Sequence, residues 1–271
     1  MRAEAATGPR FLMCPPDHFE VTYSINPWMD PANPPDLQLS RRQWDTLVGE
    51  LAAAGAEVEL LEPVPGLPDL VFTSDAGVVD GPRFVPGRPR HPERRPEIEH
   101  AAGWFAARGF EVVDLGGGED DFLEAGEVVP VDGTLVASHG FRSTPGGVAA
   151  LAEALDREVV PVELTDDRLY HLDAVLCPLD DRRAIVYPEG LAASSRRAVL
   201  DLVPEPLALD EAEALTFCAN GVVVGRSVLL PACPPRVRRS LEAWGFDVRV
   251  TPVSEFLKAG GSVHCLTLRI A

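Results

Sequence analysis

Five segments of this chain share one pattern, and this repetition limits the fold more than any other feature of the sequence. Each segment begins with a short strand of alternating polar and apolar residues, predicted at 57–61, 111–115, 158–162, 206–209 and 247–251. Each continues through a polar turn into a second, more apolar strand, predicted at 70–75, 121–129, 169–176, 215–220 and 263–268. A period of roughly 40 to 55 residues is typical of propeller-like arrays.

Stretches with helical periodicity lie between the repeats, at 40–54, 98–108, 148–155, 194–203 and 235–244. Three of them end at a glycine that suits a helix C-cap, namely Gly55, Gly109 and Gly245. Strands and a helix in five repeats predict an α/β ring whose polar strand ends face the axis. The alternative is an ordinary α/β sheet on which the same polar residues are scattered over the surface.

Composition limits the domain organisation and the class of partner. The chain has 271 residues, 46% of them apolar, and no Pro/Gly/Ser-rich linker, which favours a single domain over 1–271. Met1–Arg10 contains no apolar leader and no run is long enough to span a bilayer, so we expect a soluble, cytoplasmic protein. The formal net charge of -18 disfavours nucleic acid and anionic membranes and favours a cationic ligand, although solubility alone also explains it.

The five cysteines show neither C-x-x-C pairs nor zinc-type spacing, so structural disulfides and a metal cluster are not expected. Cys265, in the last repeat, is the candidate nucleophile. A thiol attacks as the thiolate and needs a base or a cation close by, so His171 is the candidate base and Glu124 the group that orients it. The alternative for an isolated histidine is a structural role.

Three acidic residues in the repeats predict a cationic substrate. Asp75 ends one predicted strand, Glu124 lies in an apolar stretch, and Asp173 follows His171 at i+2, on the same face of a predicted strand. A guanidinium fits because its planar N–H donors match carboxylates. Arginines in the loops could bind a carboxylate at the other end of the substrate: Arg88, Arg90, Arg94, Arg95 and Arg142. His264 is predicted to face away from Cys265, because neighbouring strand residues point to opposite faces.

Together these residues resemble the guanidino-group modifying enzymes, or penteins, a superfamily of arginine deiminases, dimethylarginine dimethylaminohydrolases, amidinotransferases and arginine dihydrolases. The resemblance runs nearly end to end. It looks nearest to bacterial proteins of the dimethylarginine dimethylaminohydrolase or amidinotransferase type and to the catalytic domain of cyanobacterial arginine dihydrolase. The matching motifs are Ile25–Met29, Asp69–Thr73, Phe122–Glu127, Tyr170–Asp173 and Phe256–Gly261, followed by Cys265. The resemblance implies a five-bladed α/β propeller with pseudo-fivefold repeats and no metal or organic cofactor.

The resemblance also implies residue roles. Cys265 attacks the guanidinium carbon, and His171 protonates the leaving amine and then activates water against a covalent amidino-thiol intermediate. Glu124 orients His171, while Asp75 and Asp173 bind the guanidinium nitrogens. Arg94 and Arg142, with Arg88 as a weaker candidate, fall where the family holds the substrate carboxylate, and Asn26 joins the substrate-binding set.

Two departures from family patterns bear on the reaction. Asp75 stands where dihydrolases carry asparagine, and Asp173 stands where typical dimethylargininases carry lysine. A further carboxylate needs N–H donors that a dimethylated nitrogen lacks, which favours arginine, converted to citrulline with release of ammonia, over methylated arginine. Dihydrolysis to ornithine and amidino transfer to an amine remain alternatives. A sensing pseudoenzyme would lack a catalytic group, and Cys265, His171 and Glu124 are all present. The sequence leaves open whether the protein forms a homo-oligomer.

Overall fold

The computed structural model describes residues 8–271, and the chain over this range forms five three-stranded sheets. Four of the sheets follow each other along the chain. In each, two strands form an antiparallel hairpin, a helix follows, and a third strand returns parallel to the second. A parallel return of this kind requires a crossover connection, which the helix supplies.

The remaining sheet contains both ends of the described chain. Its first strand pairs antiparallel with the last strand, with Phe11 opposite Arg269, and pairs in parallel with the second, with Phe11 opposite Val58. In addition, the Ile270 N–H donates to the Arg10 carbonyl at 2.8 Å. The last repeat is thus joined to the first and the ring is closed. In chain order, the strands are β1 (Arg10–Met13), β2 (Glu57–Leu60), β3 (Gly77–Asp80), β4 (Arg83–Pro86), β5 (Glu111–Val112), β6 (Val128–Val131), β7 (Thr134–His139), β8 (Val159–Glu163), β9 (Leu176–Pro178), β10 (Arg183–Val186), β11 (Glu205–Ala208), β12 (Val222–Val224), β13 (Ser227–Leu230), β14 (Asp247–Val250) and β15 (Leu268–Arg269).

The five predicted helices are confirmed, and two short helices accompany them. Gly55, Gly109 and Gly245 follow the helices Leu37–Ala53, Arg95–Ala107 and Pro235–Ala243 with φ of 97°, 84° and 79°, the left-handed conformation expected of a helix C-cap. No helix within residues 8–271 combines the length and apolarity needed to cross a membrane. The predicted absence of an apolar leader concerns Met1–Arg10, most of which lies outside the described residues. The helices are α1 (Leu37–Ala53), α2 (Arg95–Ala107), α3 (Pro145–Leu155), α4 (Ala193–Leu202), α5 (Glu211–Ala214), α6 (Pro235–Ala243) and α7 (Ser254–Leu257).

The predicted second strands are wrong over most of their length. Residues 70–75 form two short 3-10 helices, residues 125–127 and 172–174 form one each, and residues 215–220 and most of 263–268 are helical ends or turns. Local bonds such as the Asp75 N–H to the Phe72 carbonyl replace sheet pairing. A tight turn directs consecutive side chains to one side, whereas a strand directs only alternate ones there. The regular strands β3, β6, β9 and β12 begin only after these polar turns.

The inner strand of every sheet lines one cavity of about 1050 Å³, to which Val78, Val129, Cys177, Val223 and Leu268 each contribute from a different sheet. This axial cavity therefore runs along the centre of the ring. The polar turns that precede the inner strands separate it from a second, much smaller cavity. Ser74 and His264 line the axial cavity, whereas their chain neighbours Asp75 and Cys265 line the small one.

Candidate active site

The small cavity is enclosed, with a volume of about 10 Å³. It brings together most of the residues that the sequence singled out. Two of them, Asn26 and Cys265, are 239 positions apart in the chain. The polar turns of different blades meet there, as the ring prediction requires. The predicted residues that line the cavity are Asn26, Asp75, Arg94, Arg142, His171 and Cys265. Glu124 and Asp173 stand directly behind them, in contact with His171 and Cys265.

Cys265 is the cysteine that lines this cavity within residues 8–271. Its Sγ lies 3.3 Å from Asn220 Nδ2 and 3.5 Å from Asp173 Oδ2. Burial, followed by the charges of Asp173 and Asp75, raises the pKa of the Cys265 thiol well above its usual value. Without a ligand the Cys265 thiol is therefore protonated, and a cation that offsets these carboxylates would lower its pKa.

His171 lies between two carboxylates. Its Nε2 is 2.9 Å from Glu124 Oε2, and its Nδ1 is 3.5 Å from Asp75 Oδ1. Burial lowers the pKa of His171, but the Asp75 charge and the Glu124 hydrogen bond and charge outweigh it and raise this pKa to about 9. Glu124 is buried too, yet Arg142 and His171 hold its pKa far below the usual range. At neutral pH the site thus contains an imidazolium that can act as a general acid.

A glycine permits this close arrangement. A Cβ on Gly126 would lie 2.6 Å from Asp75 Oδ1 and 2.8 Å from His171 Nδ1. Both distances are below any normal contact, so a side chain at this position would separate Asp75 from His171. The glycine of the Phe122–Glu127 motif is therefore required by close packing.

The two arginines of the cavity form internal ion pairs. Arg94 Nη1 lies 3.0 Å from Asp75 Oδ2, and Nε lies 2.8 Å from Glu97 Oε2, while Nη2 donates to the Asp69 carbonyl at 3.4 Å. Arg142 Nη1 donates to Glu124 Oε2 at 2.9 Å, and its guanidinium lies over the Tyr170 ring at 4.5 Å. Every nitrogen of Arg94 and both terminal nitrogens of Arg142 are engaged, and the carboxylate-binding role of each stays a prediction.

Arg88 is not among the residues that line the small cavity. Its Nη1 donates to the carbonyls of Gly118 at 2.8 Å and Asp121 at 3.2 Å, and its backbone pairs with Leu123. These contacts fix the loop around Phe122 and direct the guanidinium away from His171 and Cys265. The structure therefore does not bring Arg88 to the site.

Five carboxylates in this layer have one bonded oxygen and one buried oxygen without a partner within residues 8–271; two of them are Asp69 and Glu97, and the other three contact His171 or Cys265. One oxygen of each of these three is bonded: Asp75 Oδ2 to Arg94, Glu124 Oε2 to Arg142 and His171, and Asp173 Oδ2 to His264 and Cys265. The other oxygen is buried and accepts no hydrogen bond from residues 8–271: Asp75 Oδ1, Glu124 Oε1 and Asp173 Oδ1. A buried acceptor without a donor is costly, so the site is complementary to a ligand that is rich in N–H groups.

The arguments from strand alternation were wrong in two places. His171 precedes a 3-10 turn, so its ring faces Asp75 and Glu124, while Asp173 faces Cys265. His264 and Cys265 lie in a turn rather than a strand, so they do not point to opposite faces. His264 Nδ1 is 3.0 Å from the Asp173 oxygen that Cys265 Sγ also approaches.

Sequence reasoning missed Asn220, whose Oδ1 accepts the His264 N–H at 2.9 Å and whose Nδ2 donates to Cys265 Sγ. Its position offered a signal, since Asn220 ends the fourth polar segment as Asp75 ends the first. The acids around Arg94, Asp69 and Glu97, were also missed. Glu97 lies on α2, outside the repeated polar segments, so the repeat pattern contained no signal for it.

Glu127 provides a stability test within the same layer. It is completely buried, and this burial raises its pKa to about 8 although His171 and the side chain and backbone of Ser143 act in the opposite direction. The folded state therefore holds a proton that the unfolded state releases near pH 4.5, so the free energy of unfolding falls as pH rises from about 5 to 8.

We expect Glu127→Gln, which resembles the protonated acid, to increase the melting temperature at pH 8 by several degrees and to change it little at pH 5. Thermal unfolding at both pH values measures this effect. The exposed Glu119→Gln variant is the control. An equal shift at both pH values would contradict a neutral Glu127.

No group of three or more His, Cys, Asp or Glu side chains is arranged to hold a metal ion among residues 8–271. The carboxylates of the site are paired with arginines and histidines instead. The expectation that the reaction needs no metal or organic cofactor stays a prediction.

Comparison with known proteins agrees with this arrangement. Residues 32–271 match the family described as N,N dimethylarginine dimethylhydrolase, eukaryotic. The N(G),N(G)-dimethylarginine dimethylaminohydrolase of Mycobacterium tuberculosis is 37% identical over 96% of this chain and 85% of its own length. The chain belongs to the dimethylarginine dimethylaminohydrolase family. It is therefore a cysteine-dependent hydrolase that acts on the C–N bonds of a guanidinium group.

Two further comparisons, both with a protein named ArgZ, connect the family to arginine itself. A bifunctional arginine dihydrolase/ornithine cyclodeaminase of Synechocystis is 37% identical over 96% of this chain, which spans 37% of that longer protein. The crystal structure of the N-terminal domain of a cyanobacterial arginine dihydrolase, bound to product, superposes with a TM-score of 0.93 at 38% identity and covers 97% of this chain and 98% of the domain. The predicted five-bladed α/β propeller is thereby confirmed.

Proposed function

We propose that this enzyme hydrolyses the guanidinium group of L-arginine, or of a closely related unmethylated guanidine, to a ureido product with release of one ammonia. The observation that supports the proposal is the set of three buried oxygens, on Asp75, Glu124 and Asp173, that lack a donor. An arginine guanidinium has five N–H groups in one plane, directed outward on three sides. Its N–H groups are therefore sufficient in number to give one hydrogen bond to each of the three carboxylates.

The residues of the site suggest a sequence of steps. A bound guanidinium offsets the charges of Asp173 and Asp75, which lowers the pKa of the Cys265 thiol and favours the thiolate. The thiolate attacks the guanidinium carbon, and the His171 imidazolium gives its proton to the departing nitrogen, which leaves as ammonia. The neutral His171 then takes a proton from water. Hydroxide adds to the amidino-thiol carbon, the C–S bond breaks, and the ureido C=O forms. The proton lost by the new hydroxyl group replaces the one that Cys265 released to solvent when it became a thiolate, so the thiol is restored.

Asp75 supports release after one hydrolysis. The ureido oxygen is an acceptor and needs a donor, but an ionised carboxylate can only accept. Asp75 would therefore repel the oxygen that the first hydrolysis creates. An asparagine, which the resemblance places at this position in dihydrolases, could donate an N–H to that oxygen and retain the ureido product for a second hydrolysis.

Asymmetric dimethylarginine is the second candidate substrate, because the matching family and the Mycobacterium tuberculosis relative carry its name. Its dimethylated nitrogen has no N–H, so one of the three oxygens would face methyl groups. That mismatch favours arginine in this chain. For either substrate, Arg94 and Arg142 are both candidates for the substrate carboxylate, because the bonds they make within the protein use three and two of their five N–H groups.

Product analysis distinguishes the alternatives. Purified protein is incubated separately with L-arginine and with asymmetric dimethylarginine, each with and without glycine as an amine acceptor, and Cys265→Ala protein is the blank. We expect citrulline and one ammonia from arginine. Citrulline with dimethylamine as the faster reaction would identify a dimethylargininase. Ornithine with two ammonia would identify a dihydrolase, and guanidinoacetate formed only with glycine would identify an amidinotransferase.

Asp75→Asn tests the one-ammonia argument. Loss of the carboxylate should raise KM for arginine about tenfold or more, since a charge-assisted hydrogen bond contributes about 1.5–3 kcal/mol. The amide should also retain part of the ureido product, so we expect ornithine to appear beside citrulline. Chromatography of the quenched reaction measures both products. A variant that makes citrulline alone would show that Asp75 does not determine the number of hydrolyses.

The other sequence predictions stay predictions: a single catalytic domain over 1–271, a cytoplasmic location, the absence of a nucleic-acid partner, and a homo-oligomer as one of the open states.

A further inference from the structure

His264 links the active-site layer to the axial cavity. Its side chain is 34% exposed and lines that cavity, while its Nδ1 lies 3.0 Å from Asp173 Oδ2. Asp173 itself is buried, and the same Oδ2 lies 3.5 Å from Cys265 Sγ. The ring of His264 thus contacts, from the axial side, the carboxylate that Cys265 contacts from the substrate side.

The backbone fixes this contact. Asn220 Oδ1 accepts the His264 N–H at 2.9 Å and lies 3.5 Å from the Cys265 nitrogen. The turn that carries the nucleophile and the turn that carries Asn220 are therefore held together beside Asp173. This arrangement places the imidazole and the thiol on the same carboxylate oxygen, although they are neighbours in the chain.

Asp173 needs such a partner to bind a substrate in one orientation. The terminal torsion of an aspartate is broad, so an unrestrained carboxylate rotates readily. The protein bonds to Asp173 are all on Oδ2, while Oδ1 is buried without a donor within residues 8–271. A donor that fixes Oδ2 also fixes the direction of Oδ1, the oxygen left for a guanidinium N–H.

We propose that His264 is a positioning residue for this reaction: its Nδ1–H holds Asp173 Oδ2 so that Oδ1 stays directed at the guanidinium of the substrate. The inference rests on the proposed function, because it needs Asp173 to contact the guanidinium. His264 itself touches neither the substrate nor the small cavity. Its effect on turnover passes through Asp173.

Two substitutions separate the hydrogen bond from the bulk of the side chain. In His264→Asn, the amide nitrogen takes nearly the place of Nδ1 and can still donate. In His264→Leu, the volume remains but the donor is lost. Because the ring is partly exposed in the axial cavity, both variants should fold. Thermal unfolding provides the check that they do.

We expect His264→Leu to lower kcat/KM for the guanidino substrate about 10- to 100-fold, mainly through KM, the loss that corresponds to one charge-assisted hydrogen bond. His264→Asn should stay within about threefold of the wild type. In the Asp173→Asn background, His264→Leu should change kcat/KM less than twofold, because the carboxylate it orients is gone. The inference would be overturned if His264→Asn and His264→Leu lowered kcat/KM equally. It would also be overturned if His264→Leu lowered kcat/KM as much in the Asp173→Asn background as in the wild type.

A readout without substrate keeps this test separate from the proposed function. If the wild type converts neither arginine nor dimethylarginine, the proposed function fails. The role of His264 is then tested by alkylation of Cys265 with iodoacetamide at pH 8, followed by mass spectrometry. When the His264 N–H is absent, Asp173 accepts the Cys265 thiol proton more strongly. His264→Leu should therefore slow alkylation severalfold, whereas His264→Asn should not. The difference should vanish in Asp173→Asn. Unchanged alkylation in His264→Leu would overturn the inference by itself.

Discussion

Cys265→Ala is expected to lower kcat by more than about 10⁴-fold, as loss of the nucleophile does in other enzymes that use a covalent intermediate. Binding should survive, because Asp75, Glu124 and Asp173 keep their contacts with Arg94, Arg142, His171 and His264. The variant also lacks the thiol, whose deprotonation Asp173 and Asp75 oppose. Isothermal titration with L-arginine should therefore give an affinity comparable to the wild-type KM.

The matched control for this experiment is Cys233→Ala. Cys233 is partly buried, and its Sγ lies 4.0 Å from the Pro234 carbonyl, outside the small cavity. This variant should keep wild-type kcat, which excludes a general effect of thiol removal. Substantial turnover by Cys265→Ala would exclude the covalent mechanism, since no other cysteine within residues 8–271 lines the site.

His171→Gln should lower kcat about 10²- to 10⁴-fold, the range typical of a lost general acid or base. Glutamine can still donate a hydrogen bond to Glu124, so the local geometry is largely kept, but it cannot give up a proton to the leaving nitrogen. KM should change less than kcat, because Asp75 and Glu124 keep their arginine partners. Steady-state kinetics with the preferred substrate measures both parameters.

The second half of the reaction gives a further readout for His171. If His171 also activates the water, hydrolysis of the intermediate slows in the variant. Mass spectrometry of acid-quenched His171→Gln protein should then show an adduct on Cys265. His100→Gln is the control, because its ring contacts the Glu62 carbonyl at the surface. A His171→Gln enzyme within tenfold of the wild-type kcat would exclude His171 as the proton donor.

The repeat, the helices and the ring could be predicted from the sequence because they follow from local rules. Each helix buries one apolar stripe, and glycines such as Gly55 stop it in a conformation that other residues avoid. Regular spacing of such units predicts a ring. The polar turns could not be assigned, because a short run such as Leu70–Ser74 is apolar enough for a strand. Only its packing between blades makes it a pair of 3-10 turns.

The sequence by itself determined the kind of site: a thiol, an imidazole and several carboxylates in the repeated segments of a closed ring, with a guanidinium as the matching ligand. The tertiary structure decided which atoms face one another. It paired Arg94 with Asp75 and Glu97, and it placed Asn220 beside Cys265 and His264 beside Asp173. It also left one oxygen of Asp75, of Glu124 and of Asp173 without a donor. The contacts of Asn220 with Cys265 and of His264 with Asp173 join different parts of the ring, whereas those of Arg94 lie within one blade. In both cases the pairing depends on side-chain directions that no local pattern specifies.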